Sequence, residues 1–297
     1  MGSSEPSCKC CNGRTSFFAQ YDFSRSCEDQ KGPVFARAGV LVPYYRCKAC
    51  GFVFTPYFDG WSKQDFAERI YNSDYVRADP DFAGERPRYL AEQLDLMLAP
   101  LRAQLDILDY GGGEGRLIQE LKRRGFEKGE VFDPFFSGGA RPEKRFKLVI
   151  AFEVVEHAVD PGQLFRDALS FLVPDGAVFF TTALQGRKPD PNWWYIAPRN
   201  GHISIHSAAS LQRLAAADGV KCLSLNGNAH LLYRDGGSAI ARQFAGGMRD
   251  DTLYAASKRG LRSYRQTANL LGDLGFGPGP KDLRHLARAT LTSCGVV

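Results

Sequence analysis

Short apolar runs alternate with helix-length segments between residues 105 and 235, and this alternation constrains the fold more than any other feature of the sequence. Strands are predicted at 105–109, 131–133, 146–152, 177–182, 221–225 and 230–233, with helices at 117–124, 161–172 and 207–219. A run such as 146–152, which is apolar except for Lys147, is typical of a strand that is covered on both faces. The order predicts an α/β fold with a Rossmann-like, doubly wound sheet and an antiparallel final strand pair.

The remainder of the 297 residues divides into three further segments. Residues 1–58 are rich in cysteine, glycine and aromatic residues, and 59–104 form a helical connector to the domain at 105–235. Residues 236–297 are predicted to form a helical extension; they contain nine Lys or Arg against four Asp, so the net charge of +5 resides there. A near-neutral body disfavours a nucleic-acid partner, which usually requires a broad basic face. The basic tail could instead form a homodimer, cover the active site or touch an anionic lipid-linked acceptor, unless it is simply a solvated helical face.

No run approaches the ~18 apolar residues that a membrane span requires. The first six residues, Met1 to Pro6, show no basic segment followed by an apolar one, so no secretory signal is expected. We therefore expect a cytoplasmic protein, in which thiols stay reduced. The eight cysteines then require an explanation other than disulfides.

A glycine-rich loop follows the first predicted strand and precedes its helix. Residues 108–115 read Leu-Asp-Tyr-Gly-Gly-Gly-Glu-Gly, and glycines there allow a backbone to approach a ligand closely. Asp133 ends the next predicted strand, 24 residues after Asp109. A carboxylate at that position can accept hydrogen bonds from both ribose hydroxyls of an adenosine-type cofactor.

These residues resemble the class I S-adenosylmethionine (SAM)-dependent methyltransferases, and the likeness continues through 146–157 and 172–178. The resemblance implies a SAM-dependent methyltransferase with SAM as its cofactor. It further implies that the methionine moiety is held by Asp109, Gly111, Gly113 and Gly115, that the ribose is held by Asp133, and that Phe152 and Glu153 also contact the cofactor. The link between Asp133 and the strand at 146 is too short for the family's usual third strand, so no adenine-contacting residue is assigned.

Two Cys-x-x-Cys hooks lie near the N-terminus, and two thiolates on one tight turn can bind a tetrahedral Zn²⁺. The predicted zinc ligands are Cys8, Cys11, Cys47 and Cys50, with Cys10 or Cys27 as alternatives for one of them. Four sulfurs close the coordination shell, which predicts a structural zinc-ribbon-like module with a hairpin around the second hook. This layout resembles methyltransferases that act on sugars or in bacterial secondary metabolism.

Acidic and imidazole side chains follow the strand at 146–152, at the edge where open α/β sheets bind ligands. Glu153, Glu156, His157 and the downstream His202 are candidates for a divalent cation, Mg²⁺ or Mn²⁺, that would chelate a diol. The pattern resembles the metal site of small-RNA 3′-end ribose methyltransferases and is similar to ubiquinone-pathway O-methyltransferases. Two alternatives remain. Glu156, His157 and His202 could act in catalysis without a metal, with a histidine as general base, or their roles could be purely structural.

The loop at 192–202 contains Trp193, Trp194, Tyr195 and Arg199. Aromatic faces stack on sugar C–H surfaces and Arg can hydrogen-bond hydroxyls, so these four residues are predicted to bind substrate; a lid that packs on the core is the alternative. The resulting hypothesis is an O-methyltransferase that acts on a sugar hydroxyl of a bacterial glycan or glycosylated metabolite, with a small-molecule or lipid-linked acceptor. A sugar C-methyltransferase and an RNA-modifying methyltransferase are the rival hypotheses.

Overall fold

A computed structural model describes residues 5–81, 84–135, 140–186, 188–234 and 239–247. The chain divides into two compact units, 1–248 and 249–297, and the described residues all belong to the first. The strands are β1 (Thr15–Asp22), β2 (Leu41–Cys47), β3 (Val53–Phe54), β4 (Ile107–Tyr110), β5 (Gly129–Phe132), β6 (Phe146–Phe152), β7 (Leu172–Thr181), β8 (Ser204–Ile205), β9 (Lys221–Ser224) and β10 (Ala229–Tyr233). The α-helices are α1 (Lys63–Arg69), α2 (Tyr75–Ala78), α3 (Arg86–Leu98), α4 (Arg116–Arg123), α5 (Pro161–Ser170), α6 (Ala208–Ala217) and α7 (Ala239–Gly247).

The larger sheet has six strands in the order β5-β4-β6-β7-β10-β9. The first four strands are parallel, and β10 is antiparallel to both β7 and β9. Successive side chains of β6 enter opposite layers: Leu148 and Ile150 pack with α3, α4 and α7, whereas Val149 and Ala151 pack with α5 and α6. The sheet is therefore covered on both faces, which confirms the predicted Rossmann-like α/β fold.

Strand β7 begins earlier than predicted. The helix predicted over 161–172 ends two residues earlier, at Ser170. Leu172 already belongs to β7 and pairs with Phe146 of β6. Pairing then shifts before Ala177, so the intervening residues form a bulge. A Cβ atom on Gly176 would lie 2.9 Å from the Lys147 carbonyl oxygen, so this close approach of two backbones requires glycine.

The smaller sheet has the order β1-β2-β3-β8, with antiparallel neighbours. Tyr45 pairs with Phe54 and Arg46 with Val53, which confirms the predicted hairpin around the second cysteine hook. The fourth strand, β8, was not predicted. It comes from the chain after β7, so the methyltransferase segment at 105–235 contributes a strand to the sheet of the N-terminal segment.

The segment at 59–104 contains α1, α2 and α3. Of the C-terminal extension, α7 belongs to the described structure, and Phe244 packs on Phe179 with ring centroids 4.4 Å apart. The rest of the basic extension lies outside the described residues. No helix within the described ranges is long and apolar enough to cross a membrane.

Candidate active site

The glycine loop connects β4 to α4, as the sequence predicts. The φ angles are 79° at Gly111, 53° at Gly113 and 73° at Gly115. Residues with a Cβ atom rarely adopt this region of backbone conformation. A Cβ atom on Gly112 would lie 2.3 Å from Oδ2 of Asp109. The loop therefore requires glycine for its backbone conformation and for its contact with Asp109.

Two carboxyl groups flank this loop. Asp109 is 3% exposed at the end of β4, and burial, followed by the charge of Asp133, raises its pKa to about 7. Asp133 follows β5, where its Oδ2 accepts the Gly113 N–H at 3.0 Å and its Oδ1 accepts the Phe135 N–H at 2.8 Å. The acid predicted to bind the ribose thus also fixes the conformation of the glycine loop.

Glu156, His157 and His202 form a compact cluster, with one potential ligand atom of each within 4.8 Å of the others. Glu156 and His157 lie on a 3-10 helix just after β6, and His202 precedes β8. The Glu156 side chain is completely buried, and neither of its carboxyl oxygens has a hydrogen-bond partner among the described residues. Burial and the charge of Glu153 raise the pKa of Glu156 well above its usual range.

Both imidazoles are oriented by backbone carbonyl groups. Nδ1 of His157 lies 3.1 Å from the Gly201 oxygen, and Nδ1 of His202 lies 2.7 Å from the Tyr195 oxygen. Because a carbonyl oxygen only accepts, Nδ1 carries the hydrogen in both rings and Nε2 keeps its lone pair. Burial lowers the pKa of His157 to about 4 and that of His202 to about 3, so both rings are neutral at pH 7.

The cluster fits a divalent cation. A buried carboxyl group without a partner is costly, and a bound cation would supply its missing partner. Metal-bound histidines commonly donate the other ring N–H to a carbonyl group, as His157 and His202 do here. Glu153, the fourth predicted ligand, is not part of this group.

Glu153 has a different environment from the one predicted for a metal ligand. Its φ of 51° is unusual for a residue other than glycine. Thr181 on β7 donates its hydroxyl to Oε1 of Glu153 at 2.7 Å and accepts the Glu153 N–H at 3.0 Å. These bonds hold the side chain at the carboxyl end of β6, next to Phe152, whose ring packs edge-on against Phe179.

The predicted zinc ligands Cys8, Cys11, Cys47 and Cys50 come together, with all four Sγ atoms within 4.8 Å of one another. The Cys8–Cys50 and Cys11–Cys47 Sγ distances are both 3.6 Å. A tetrahedral Zn²⁺ with Zn–S bonds of ~2.3 Å places its sulfurs about 3.8 Å apart, so the four thiols fit zinc.

The two alternative cysteines, Cys10 and Cys27, lie outside this group of four. Burial raises the pKa of the Cys10 thiol, so Cys10 stays protonated. The Cys27 sulfur lies instead 3.8 Å from Nδ1 of His202.

Two of the predicted substrate residues are buried and make internal contacts. The Tyr195 hydroxyl accepts the Ala183 N–H at 3.2 Å, and its ring belongs to the core. Arg199 is 6% exposed and donates to the carbonyl oxygen of Ile70. These contacts engage Tyr195 and Arg199 within the protein, and substrate binding by either residue stays a prediction. Trp193 and Trp194 are half-buried and pack against the same core.

Sequence reasoning missed two tyrosines near the cluster. The Tyr44 hydroxyl on β2 donates to the carbonyl oxygen of His202 at 2.7 Å. Tyr71, just after α1, packs edge-on toward His157 with ring centroids 6.1 Å apart. Neither tyrosine lies in a motif, and each is far from the cluster along the chain, so only the folded structure reveals these contacts.

Comparison with known proteins gives a family match within the larger domain. Residues 82–225 match a family described as a methyltransferase domain, whereas no curated protein matches the chain. The matched segment contains the glycine loop, both loop carboxyl groups and the Glu156–His157–His202 cluster. The match supports the predicted methyltransferase domain within residues 82–225.

Similar solved structures include an O-methyltransferase family protein from Burkholderia thailandensis, with 13% identity and a TM-score of 0.42. Its alignment covers 59% of this chain and 64% of that protein. Human N-acetylserotonin methyltransferase in complex with SAM has 14% identity and a TM-score of 0.39, and the alignment covers 58% of this chain and 56% of the human protein. The chain therefore spans less than two thirds of the length of either structure.

Proposed function

We propose that this protein transfers the methyl group of SAM to a sugar hydroxyl, and that Glu156, His157 and His202 hold a divalent cation beside that hydroxyl. The observation that carries the proposal is the buried carboxyl group of Glu156, which lacks a partner among the described residues and lies beside two imidazoles with available Nε2 atoms. Oxygen and imidazole ligands suit a hard or borderline cation such as Mg²⁺ or Mn²⁺.

The donor and acceptor sides of the proposed site are adjacent. A Cβ atom on Gly111 would lie 2.7 Å from Cγ2 of Val154, so the glycine loop contacts the segment that carries Glu156. The loop lies at the carboxyl end of β4 and the cluster follows β6, which is paired with β4. Ligands of open α/β sheets bind at this edge, so a donor on the loop would face an acceptor at the cluster.

The chemistry is a displacement at a sulfonium carbon. When bound, the cation would chelate a vicinal diol and lower the pKa of one hydroxyl. The hydroxyl proton leaves to solvent, an O–CH₃ bond forms as the S–CH₃ bond breaks, and a methyl ether and S-adenosylhomocysteine (SAH) are released. The protein contributes by holding both reactants in line. The carbonyl oxygens of Gly201 and Tyr195 keep the two imidazoles in the required orientation.

We further propose that Cys8, Cys11, Cys47 and Cys50 hold a structural Zn²⁺. Backbone N–H groups of Cys10 and Cys50 donate to the sulfurs of Cys8 and Cys47, both at 3.4 Å, as expected for thiolate sulfurs. The four sulfurs leave no open position for a substrate, so the site stabilises the fold and takes no part in methyl transfer.

The direct test is an assay of the purified full chain with SAM and a panel of sugars that carry vicinal diols. We expect SAH to form together with a methyl ether that is 14 Da heavier than the acceptor, and we expect EDTA to abolish this turnover and Mg²⁺ or Mn²⁺ to restore it. Turnover that survives EDTA would instead favour His157 as a plain general base. Absence of turnover on every hydroxyl acceptor would refute the proposal.

SAM binding is expected to depend on pH through Asp109. Burial raises the pKa of this carboxyl group to about 7, and the ionised form is the one that attracts the cationic methionine group of SAM. Affinity should therefore rise with pH up to about 7 and level off above it, with a change of up to about tenfold per pH unit on the acidic side. Titration calorimetry with SAM from pH 5.5 to 8.5 measures this dependence. Asp109→Asn should bind more weakly and show a flat profile, and a sloping profile in this variant would assign the titration to another group.

A further inference from the structure

Tyr71 is a phenol beside the proposed active site to which the proposed mechanism assigns no role. It directly follows the residue that caps α1, and it is 36% exposed. Its ring contacts Tyr75, with centroids 5.2 Å apart, and Phe135, with centroids 5.9 Å apart. Among the described residues, its hydroxyl has no hydrogen-bond partner. A partly exposed tyrosine with a free O–H in this position is available to a bound ligand.

The Tyr71 side chain lies between the two halves of the site. On the acceptor side, its hydroxyl lies 3.8 Å from the position of a Cβ atom on Gly201, and the Gly201 carbonyl group orients His157. On the donor side, its ring contacts Phe135, whose N–H is bonded to Asp133. Tyr71 therefore lies between the imidazole cluster and Phe135, the residue bonded to Asp133.

A single guanidinium group holds the residues on both sides of Tyr71, one by its backbone carbonyl group and the other by its side-chain amide. Arg199 donates to the carbonyl oxygen of Ile70 at 2.9 Å and to Oδ1 of Asn72 at 2.9 Å. Because Arg199 is buried and also packs on the ring of Phe35, this clamp is fixed in position. The residue that the sequence suggested as a substrate ligand thus acts on the site through Tyr71.

The charges around Tyr71 keep its phenol neutral. Desolvation by the surrounding protein raises the pKa of Tyr71, and the negative charges of Asp133 and Glu156 raise it further. The Tyr71 hydroxyl is therefore protonated at neutral pH and can donate a hydrogen bond.

We propose that the Tyr71 hydroxyl binds the acceptor, by donating a hydrogen bond to an acceptor oxygen that neighbours the methylated one. This inference rests on the proposed methyl transfer to a hydroxyl, and it names a residue that selects the acceptor. Tyr71 touches the acceptor, and Arg199 is a positioning residue that holds Tyr71 between Ile70 and Asn72. An acceptor with an oxygen next to the reactive hydroxyl satisfies Tyr71, whereas one without that oxygen leaves the phenol unpaired.

The test is Tyr71→Phe, which removes the hydroxyl and keeps the ring contacts. We expect the KM for the acceptor to rise about tenfold, the loss expected for one neutral hydrogen bond, while kcat and the dissociation constant for SAH each change less than twofold. In a series of monodeoxy analogues of the acceptor, one analogue should lack the oxygen that Tyr71 binds. The wild-type protein should have a kcat/KM for that analogue about tenfold lower than for the parent acceptor. Tyr71→Phe should not discriminate between that analogue and the parent acceptor.

Tyr45→Phe is the matched control, because Tyr45 is a half-buried tyrosine on β2 whose ring contacts Phe17. It should retain the wild-type KM. A Tyr71→Phe variant with the wild-type KM, or one that still discriminates against every deoxy analogue, would overturn the role of Tyr71 and leave the proposed function intact. A wild-type protein that methylates no hydroxyl would overturn both proposals together.

Discussion

Replacing Glu156 by glutamine is expected to lower kcat about 10³-fold while the dissociation constant for SAH stays within a factor of two. The substitution keeps the shape of a completely buried side chain but removes the group that can ionise, so the proposed cation would lose its anionic ligand. The glycine loop and Asp109, which are proposed to bind the donor, are unchanged. Steady-state turnover and titration calorimetry with SAH, measured on the same preparation, separate these two effects.

Thermal unfolding distinguishes a catalytic role of Glu156 from a structural one. The carboxyl group is buried without a hydrogen-bond partner among the described residues, which is unfavourable for folding in the metal-free protein. A neutral amide should therefore leave the melting temperature of the metal-free protein unchanged or higher. Lower turnover together with a large fall in melting temperature would point to a structural role.

Glu153→Gln is the matched control for the Glu156 substitution. Both residues follow β6, but Glu153 bonds to Thr181 and is not part of the cluster. We expect a loss of turnover below tenfold for Glu153→Gln. Equal losses in the two variants would show that negative charge in this region matters rather than the particular position of Glu156.

The sequence identified the larger sheet because buried strands leave a strong local pattern. The strand predicted at 146–152 has the same bounds as β6, since both faces of β6 are covered and all of its residues except Lys147 are apolar. The glycine loop was also predicted correctly, because close backbone approaches admit few residues other than glycine. The cluster was predicted in part: Glu156, His157 and His202 come together, and Glu153 does not join them.

Features that depend on distant parts of the chain left no local pattern. Strand β8 has two residues, which is too short for an alternation of apolar and polar side chains to be recognised. The aromatic loop was predicted to face a sugar, but irregular segments have no periodicity that separates a buried side from an exposed one. The structure buries Tyr195 in the core and engages Arg199 with the chain around Tyr71.

Replacing Cys47 by serine is expected to release zinc, unfold the smaller sheet and reduce turnover at least 100-fold. A structural Zn²⁺ contributes ~10–16 kcal/mol of binding free energy, as large as the total stability of a typical domain, ~5–15 kcal/mol. The smaller sheet contains β8, whose Ser204 and Ile205 pair with β3. His202 precedes β8, and its carbonyl group accepts the Tyr44 hydroxyl of β2. Loss of the sheet therefore removes the supports of His202.

The glycine loop should respond differently, because it belongs to the larger sheet. SAH binding by Cys47→Ser should weaken less than turnover does, and metal analysis should show less than one zinc per chain. Cleavage by trypsin should increase within the N-terminal segment. Cys222→Ala, which removes a buried thiol outside the group of four, should retain zinc and lose at most ~2 kcal/mol of stability. If the zinc-free protein kept both its melting temperature and its turnover, the four thiols would have to be assigned another role, because a closed tetrahedral site has no function other than to hold its sheet together.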